Sequence, residues 1–145
     1  RSDLRGIIAG VTSPYVSRSQ EQIVIEGIDI TVKPRVALTL AMALHELTTN
    51  ASKYGALSVP AGRIEISWAI LESDSAPSQL RIEWRERNGP VVEAPTRHGF
   101  GSRFIEGSVA AELQGSARLD YHPTGLVCTM KIPFDSDMLD VAVRA

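Results

Sequence analysis

Three polar residues stand at helical spacing near the middle of the sequence. Glu46, Asn50 and Lys53 are separated by steps of four and three residues, so on a helix their side chains share one face. A carboxylate, an amide oxygen and an ammonium group in such a row could hold a metal-bound phosphate, because Mg²⁺ prefers oxygen ligands and lysine suits a phosphate oxygen. The spacing alone equally allows an ordinary solvated helix face.

A glycine-rich stretch, Gly99-Phe100-Gly101-Ser102, stands directly before a segment of helical periodicity that we predict to begin near Arg103. Glycines let backbone N–H groups approach an anion closely, and the N-terminus of a helix adds a favourable dipole. We expect Ser102 to be the N-cap of this helix, with a hydroxyl that could also face a phosphate. A plain tight turn with a capping serine is the alternative.

A third candidate is Glu86, at the predicted end of a strand and just before the turn Asn88-Gly89-Pro90. A carboxylate in this position could accept a hydrogen bond from an exocyclic amine such as that of adenine. The alternative is a surface glutamate at the exit of a hairpin.

The elements that must position these groups follow from the hydrophobic periodicity. Apolar residues recur at steps of three and four from Pro34 to Tyr54, which predicts an amphipathic helix of about five turns, ended by Gly55. A first helix is predicted from Ser2 or Asp3 to Ser13-Pro14, and a third from Arg103 to Leu113.

Alternating segments predict the strands. We expect two short strands or one hairpin over 22–32, a hairpin of 63–71 with 80–86, a final hairpin of 116–121 with 126–133, and a loose end or short helix over 135–145. The predicted fold is α+β: a two-layer sandwich whose mostly antiparallel mixed sheet is covered on one face by helices and is more polar on the other. With no internal repeat or boundary, residues 1–145 are predicted to form a single domain.

Bulk composition narrows the classes of function. A net charge of −2 gives no basic footprint for nucleic acid, and no apolar run approaches the roughly 20 residues that span a bilayer. We therefore expect neither nucleic-acid binding nor membrane contact, and we find no signal peptide. The single cysteine, Cys128, excludes an internal disulfide, favours the cytoplasm and is predicted to be a core residue.

These motifs, in this order, resemble a known family. The run from His45 to Ser58 closely resembles the N-box of HWE sensor histidine kinases, a family named for a histidine in that box and a later Trp-x-Glu, here Trp84 and Glu86. The resemblance extends over about residues 4–134, with 99–102 similar to the family's second glycine box and 125–133 to its last strand.

The resemblance implies a Bergerat-type ATP-binding fold with ATP and Mg²⁺ as ligands. It implies that Asn50 binds the Mg²⁺ that bridges the phosphates, and that Glu46 lies near the γ-phosphate and its water as the second catalytic residue. Glu86 would read adenine in place of the usual aspartate, and 90–98 would form a short lid. The implied nucleotide contacts are Asn50, Lys53, Tyr54, Glu86, Gly89, Gly99, Phe100, Gly101 and Ser102. Arg87 departs from the family's usual Asp-x-Gly-x-Gly box.

A histidine kinase also needs a phosphoacceptor histidine. None of His45, His98 and His122 stands in a sequence that resembles the family's acceptor motif. We therefore expect the acceptor to lie on dimerisation helices outside this chain, with 1–16 as the end of the connection to them and a response regulator as the indirect partner. Two alternatives stay open: an ATPase of the same fold, in which Glu46 activates water, and a degenerate nucleotide-binding domain that serves partner interaction.

Overall fold

The computed structural model describes residues 2–15, 21–75, 77–92, 100–133 and 139–140. Its helices are α1 (Leu4–Thr12), α2 (Pro34–Lys53) and α3 (Phe100–Leu113), with short 3-10 helices at Ser13–Tyr15 and Ala56–Ser58. Its strands are β1 (Ser2–Asp3), β2 (Ile23–Gly27), β3 (Thr31–Val32), β4 (Arg63–Leu71), β5 (Gln79–Arg87), β6 (Ser116–His122), β7 (Gly125–Pro133) and β8 (Leu139–Asp140).

The main sheet has five strands in the order β2-β4-β5-β7-β6. Strand β2 runs parallel to β4 and every other pair is antiparallel, which confirms the predicted mixed, mostly antiparallel sheet. Both predicted hairpins, β4 with β5 and β6 with β7, are present. The segment 22–32 forms two short strands in different sheets instead of a hairpin, because β3 pairs with β1 and β8.

One face of the sheet and the inner faces of the helices form the core. Helix α2 packs against both α1 and α3, and it buries Leu40, Leu44 and Leu47 completely. The central strands contribute alternate side chains such as Ile64 and Trp84, as expected for a sheet with one covered face. Among the described helices, none is long and apolar enough to cross a bilayer. Cys128 is fully buried in this core, which confirms its predicted place.

The opposite face of the sheet is polar, as the alternation of the strands predicts. Among the residues that the structure describes, this face carries three ion pairs, at strand positions whose sequence neighbours point into the core. These are Arg85–Glu83 at 3.0 Å, Arg87–Glu65 at 3.3 Å and Arg118–Asp120 at 2.9 Å.

The helix ends show why α1 and α2 form where the sequence places them. The Asp3 carboxylate accepts a hydrogen bond of 3.2 Å from the backbone N–H of Gly6 and so caps α1. Pro34 occupies the first turn of α2, where its missing N–H costs nothing. Helix α2 ends at Lys53, and Tyr54 N–H still donates to the Asn50 carbonyl at 2.8 Å. The prediction for this helix is confirmed.

Two secondary-structure predictions are wrong, one about the start of a helix and one about the type of structure near the C-terminus. Helix α3 begins at Phe100 and not near Arg103, so Ser102 lies inside the first turn instead of at the N-cap. A glycine within a helix costs only about 1 kcal/mol relative to alanine, so it does not prevent the helix from beginning before Gly101. The predicted loose end or short helix at 135–145 also differs, since Leu139–Asp140 forms strand β8 on the open edge of β3. The remainder of that prediction, 135–138 and 141–145, lies outside the described residues.

Candidate functional site

The polar stripe on α2 lies at the border between its buried and exposed faces. Glu46 and Asn50 are half-buried, and Lys53, the last residue of the helix, is exposed. Within the described part of the chain, none of the three side chains has a hydrogen-bond or ion-pair partner. The stripe therefore offers two kinds of oxygen donor and one ammonium group to a ligand, and the half-buried location of Glu46 and Asn50 strengthens the electrostatic interactions of those two groups.

Glu86 is a buried carboxylate at the end of β5. The residue is only 6% exposed. Oε1 accepts a hydrogen bond of 2.9 Å from the backbone N–H of Ala56, and Oε2 accepts one of 3.0 Å from the indole Nε1–H of Trp84. Burial raises the pKa of the Glu86 carboxyl, and the two hydrogen bonds oppose that rise. The alternative of a surface glutamate at a hairpin exit is wrong.

Glycines allow the chain to close around this carboxylate. A Cβ on Gly55 would collide with Glu86 Oε1, and a Cβ on Gly125 would collide with the Glu86 carbonyl oxygen. Gly125 also has a φ of +149°, a conformation that other residues rarely adopt. The end of α2 and the start of β7 can thus approach Glu86 only because both positions lack a side chain.

Ala56 is enclosed in the same way. A Cβ on Gly62 would collide with the Ala56 carbonyl oxygen, and a Cβ on Gly89 would lie 2.9 Å from its Cα. The turn after β5, which contains Gly89, therefore packs directly on the segment that follows α2. Sequence reasoning treated Gly55 only as a helix stop and missed Ala56, Gly62 and Gly125; the one available signal was that each glycine stands at the end of a predicted element.

The first turn of α3 is joined to β6. Ser102 is only 6% exposed, and its side chain makes a hydrogen bond with the half-buried Tyr121. Burial raises the pKa of the Tyr121 phenol, the Ser102 hydrogen bond opposes this, and the charges of Cys128, Glu106 and Glu86 add to the rise. Tyr121 thus stands within electrostatic reach of Glu86, a relationship that nothing in the local sequence of β6 indicates.

The structure brings some of the predicted site residues together. Glu86 and Gly89 meet the end of α2 through Gly55 and Ala56. Tyr54 follows α2 and is 67% exposed. The backbone of Phe100 and Gly101 belongs to α3, whereas Gly99 and 93–98 of the expected lid lie outside the described residues.

The groups present fit a nucleotide with a divalent cation. Glu46 and Asn50 supply the hard oxygen atoms that Mg²⁺ prefers, and Lys53 supplies a cation for phosphate. Each Glu86 oxygen receives one N–H from a described residue, and an ionised carboxylate has about four acceptor positions, so capacity remains for an exocyclic amine. The start of α3 offers a helix N-terminus to an anion.

The fold is that of histidine kinase catalytic domains. The histidine kinase domain of the EL346 blue-light-activated kinase from Erythrobacter litoralis has a TM-score of 0.66 at 18% identity, over 90% of this chain and 58% of that one. The mycobacterial sensor histidine kinase MprB has a TM-score of 0.63 at 18% identity, over 91% of this chain and 96% of that one.

Sequence comparison identifies the relatives more narrowly. Blue-light-activated histidine kinase 1 of Erythrobacter litoralis is 39% identical over 130 residues, 88% of this chain and 34% of that protein. The blue-light-activated histidine kinase of Brucella anthropi is 36% identical over 126 residues, 87% of this chain and 26% of that protein. The chain thus spans between about a quarter and a third of these relatives, and no family model matches it. Over most of its length the chain is therefore similar to part of blue-light-activated histidine kinases, and its fold is that of histidine kinase catalytic domains.

Proposed function

We propose that this domain binds ATP with Mg²⁺ and presents the γ-phosphoryl group to a histidine on the dimerisation helices of the same kinase. The observation that carries the proposal is the hydrogen bond from Ala56 N–H to Glu86 Oε1, because it joins a base-reading carboxylate to the end of the helix that bears Asn50 and Lys53. A nucleotide that contacts Glu86 with its base would then extend its phosphates along the exposed flank of α2.

The roles of the residues follow from their chemistry. Asn50 would hold the metal through its amide oxygen, Lys53 would neutralise phosphate charge, and Glu86 would accept a hydrogen bond from the adenine amine. When bound, Mg²⁺ would neutralise charge on the phosphates and orient them. Phosphoryl transfer depends mainly on positioning and charge neutralisation, so the domain needs no covalent nucleophile of its own.

Glu46 stands four residues before Asn50 on the same flank of α2 and is half-buried. Its carboxylate would order water around the metal and the terminal phosphate. The same position would suit a general base for hydrolysis, which is why an ATPase is the second candidate function. The kinase proposal requires little hydrolysis by the isolated domain, whereas the ATPase requires sustained turnover.

The experiment that tests the proposal is transfer in trans. The domain is incubated with γ-labelled ATP, Mg²⁺ and a separately made dimerisation segment of an HWE kinase that carries its phosphoacceptor histidine. Acid-labile label on that segment, lost with Asn50→Ala, is the expected result. Release of free phosphate without labelled segment would favour the ATPase, and nucleotide binding with neither product would favour the degenerate partner-interaction domain.

The proposal also implies a cellular location and an indirect partner for the domain. ATP is the expected phosphoryl donor, so we place the domain in the cytoplasm, where ATP and Mg²⁺ are available. The phosphorylated histidine would in turn supply a response regulator, which makes that protein an indirect partner of this domain.

A further inference from the structure

Trp84 lies two residues before Glu86 on β5 and is fully buried. Its indole Nε1–H donates to Glu86 Oε2 at 3.0 Å, while the Ala56 N–H holds the other oxygen. The two donors come from different elements, so together they fix the rotation of the carboxylate about its last side-chain bond. Loss of either donor would leave a buried carboxylate oxygen without a hydrogen-bond partner among the described residues, which is costly.

We propose that Trp84 is a positioning residue for nucleotide recognition: its indole N–H holds the Glu86 carboxylate in the orientation and the ionised form that accept the exocyclic amine of the base. This inference rests on the proposed function and adds to it a residue that need not touch the nucleotide. It separates two roles of a buried tryptophan, the packing of its ring and the donation of its N–H.

The surroundings of Glu86 explain why a donor is needed there. Burial has the largest effect on the pKa of the Glu86 carboxyl and raises it, which favours the protonated form. The hydrogen bonds from Ala56 and Trp84 lower this pKa and favour the ionised form. Among the described residues, the Glu86 charge contributes to the raised pKa of one other side chain, the Tyr121 phenol on β6, which is neutral between pH 5 and 8. A protonated Glu86 would have one oxygen engaged as an O–H donor and would accept the amine less well.

Trp68 provides a matched control. It is a second buried tryptophan, on the neighbouring strand β4, and its indole N–H donates to the Ile28 carbonyl at 2.7 Å. Trp68→Phe therefore removes a buried indole N–H from the same sheet without removing a donor to Glu86. Both substitutions keep an aromatic ring and reduce its size equally.

The first test measures ATP affinity by titration calorimetry in Mg²⁺ buffer over a range from pH 5 to 8. Trp84→Phe is expected to weaken binding about tenfold at pH 7.5, the effect of losing one hydrogen bond to a charged group. As the pH is lowered, the affinity of Trp84→Phe is also expected to begin to fall at a higher pH than the affinity of the native chain does, because Glu86 protonates more easily in the variant. Trp68→Phe should retain the native affinity and the native pH profile. Protonation of ATP itself affects all three proteins equally, so differences between their pH profiles report on the protein.

The second test needs no substitution of Trp84. The chain has two tryptophans, so its ¹⁵N spectrum has two indole N–H resonances, which Trp68→Phe assigns. The Trp84 resonance is expected to move on addition of ATP and to follow the titration of Glu86, while the Trp68 resonance stays in place. Equal behaviour of the two resonances would overturn the positioning role, and so would matching affinities and pH profiles of the two Phe variants. In either case, ATP binding by the native chain would preserve the proposed function. Absence of ATP binding by the folded native chain would remove both.

Discussion

Oε1 of Glu86 accepts a hydrogen bond from the backbone N–H of Ala56, a residue 30 positions earlier in the chain, at 2.9 Å. This bond ties the end of β5 to the segment that follows α2. It places the candidate base-reading carboxylate next to the last turn of the helix that carries Asn50 and Lys53. The relationship makes the site sensitive to the backbone around Glu86 as much as to the side chains that would touch a nucleotide.

Gly55→Ala is expected to damage the site from within the fold. The added Cβ would collide with Glu86 Oε1, and overpacking of this kind costs about 1–3 kcal/mol of the free energy of unfolding. Urea denaturation measures the loss, and ATP affinity is expected to fall in the protein that remains folded. Gly10→Ala in α1 is the control, since its Cβ would meet nothing within 4 Å. An unchanged free energy of unfolding for Gly55→Ala would refute the close packing.

Glu86 should make stability depend on pH in a defined direction. Its pKa is raised in the folded chain above the ordinary value of 4.5, so the folded state holds this proton more tightly than the unfolded state does. The Glu86 contribution to stability is therefore greatest below pH 4.5 and declines as the pH rises through the folded-state pKa.

Glu86→Gln removes this titration. The free energy of unfolding of the native chain minus that of the variant, measured by urea denaturation from pH 4 to 8, is expected to decrease as the pH rises. A difference that is constant over this range, or that grows with pH, would contradict the raised pKa.

Cys128 should be inert in the folded protein. It is fully buried in β7, and burial raises the pKa of its thiol to about 12, so almost no thiolate forms near neutral pH. At pH 8 a thiol reagent such as Ellman's reagent is expected to react slowly with the native chain and quickly in urea. Rapid modification under native conditions would show that the core around β7 is open.

Gln114→Gly should stabilise the end of α3. Gln114 directly follows the helix with a φ of +56°, a left-handed conformation that costs a side-chain-bearing residue roughly 1–2 kcal/mol. Glycine adopts this conformation freely and is preferred after helix ends, so the free energy of unfolding is expected to rise by about 1 kcal/mol. A lower melting temperature for the variant would mean that the Gln114 side chain contributes more than its backbone costs.

The sequence was sufficient to predict those structural features that depend on a local pattern of residues. Helix α2 could be placed from its apolar spacing, its first proline and the glycine after it, and the two hairpins from their alternation. The row of Glu46, Asn50 and Lys53 follows from the helix period alone. Their relation to the border of the buried face follows from the same period.

The features that sequence reasoning missed depend on contacts between distant segments. The burial of Glu86 depends on an N–H from the segment after α2 and on the close approach of Gly55 and Gly125, both of which are distant from it in sequence. The start of α3 was placed too late because glycine and serine also suit a turn. Strand β8 was missed since a two-residue strand has no periodicity of its own and exists only through its pairing with β3.

The central claim is that the flank of α2 binds ATP through a metal held by Asn50. Titration calorimetry of ATP with and without Mg²⁺ tests it on the native chain, on Asn50→Ala, and on Met42→Ala, an exposed position on the same helix, as the control. The account predicts Mg²⁺-dependent binding by the native chain and the Met42 variant, and its loss in the Asn50 variant. Equal binding by all three proteins, or no binding by the folded native chain, would contradict it.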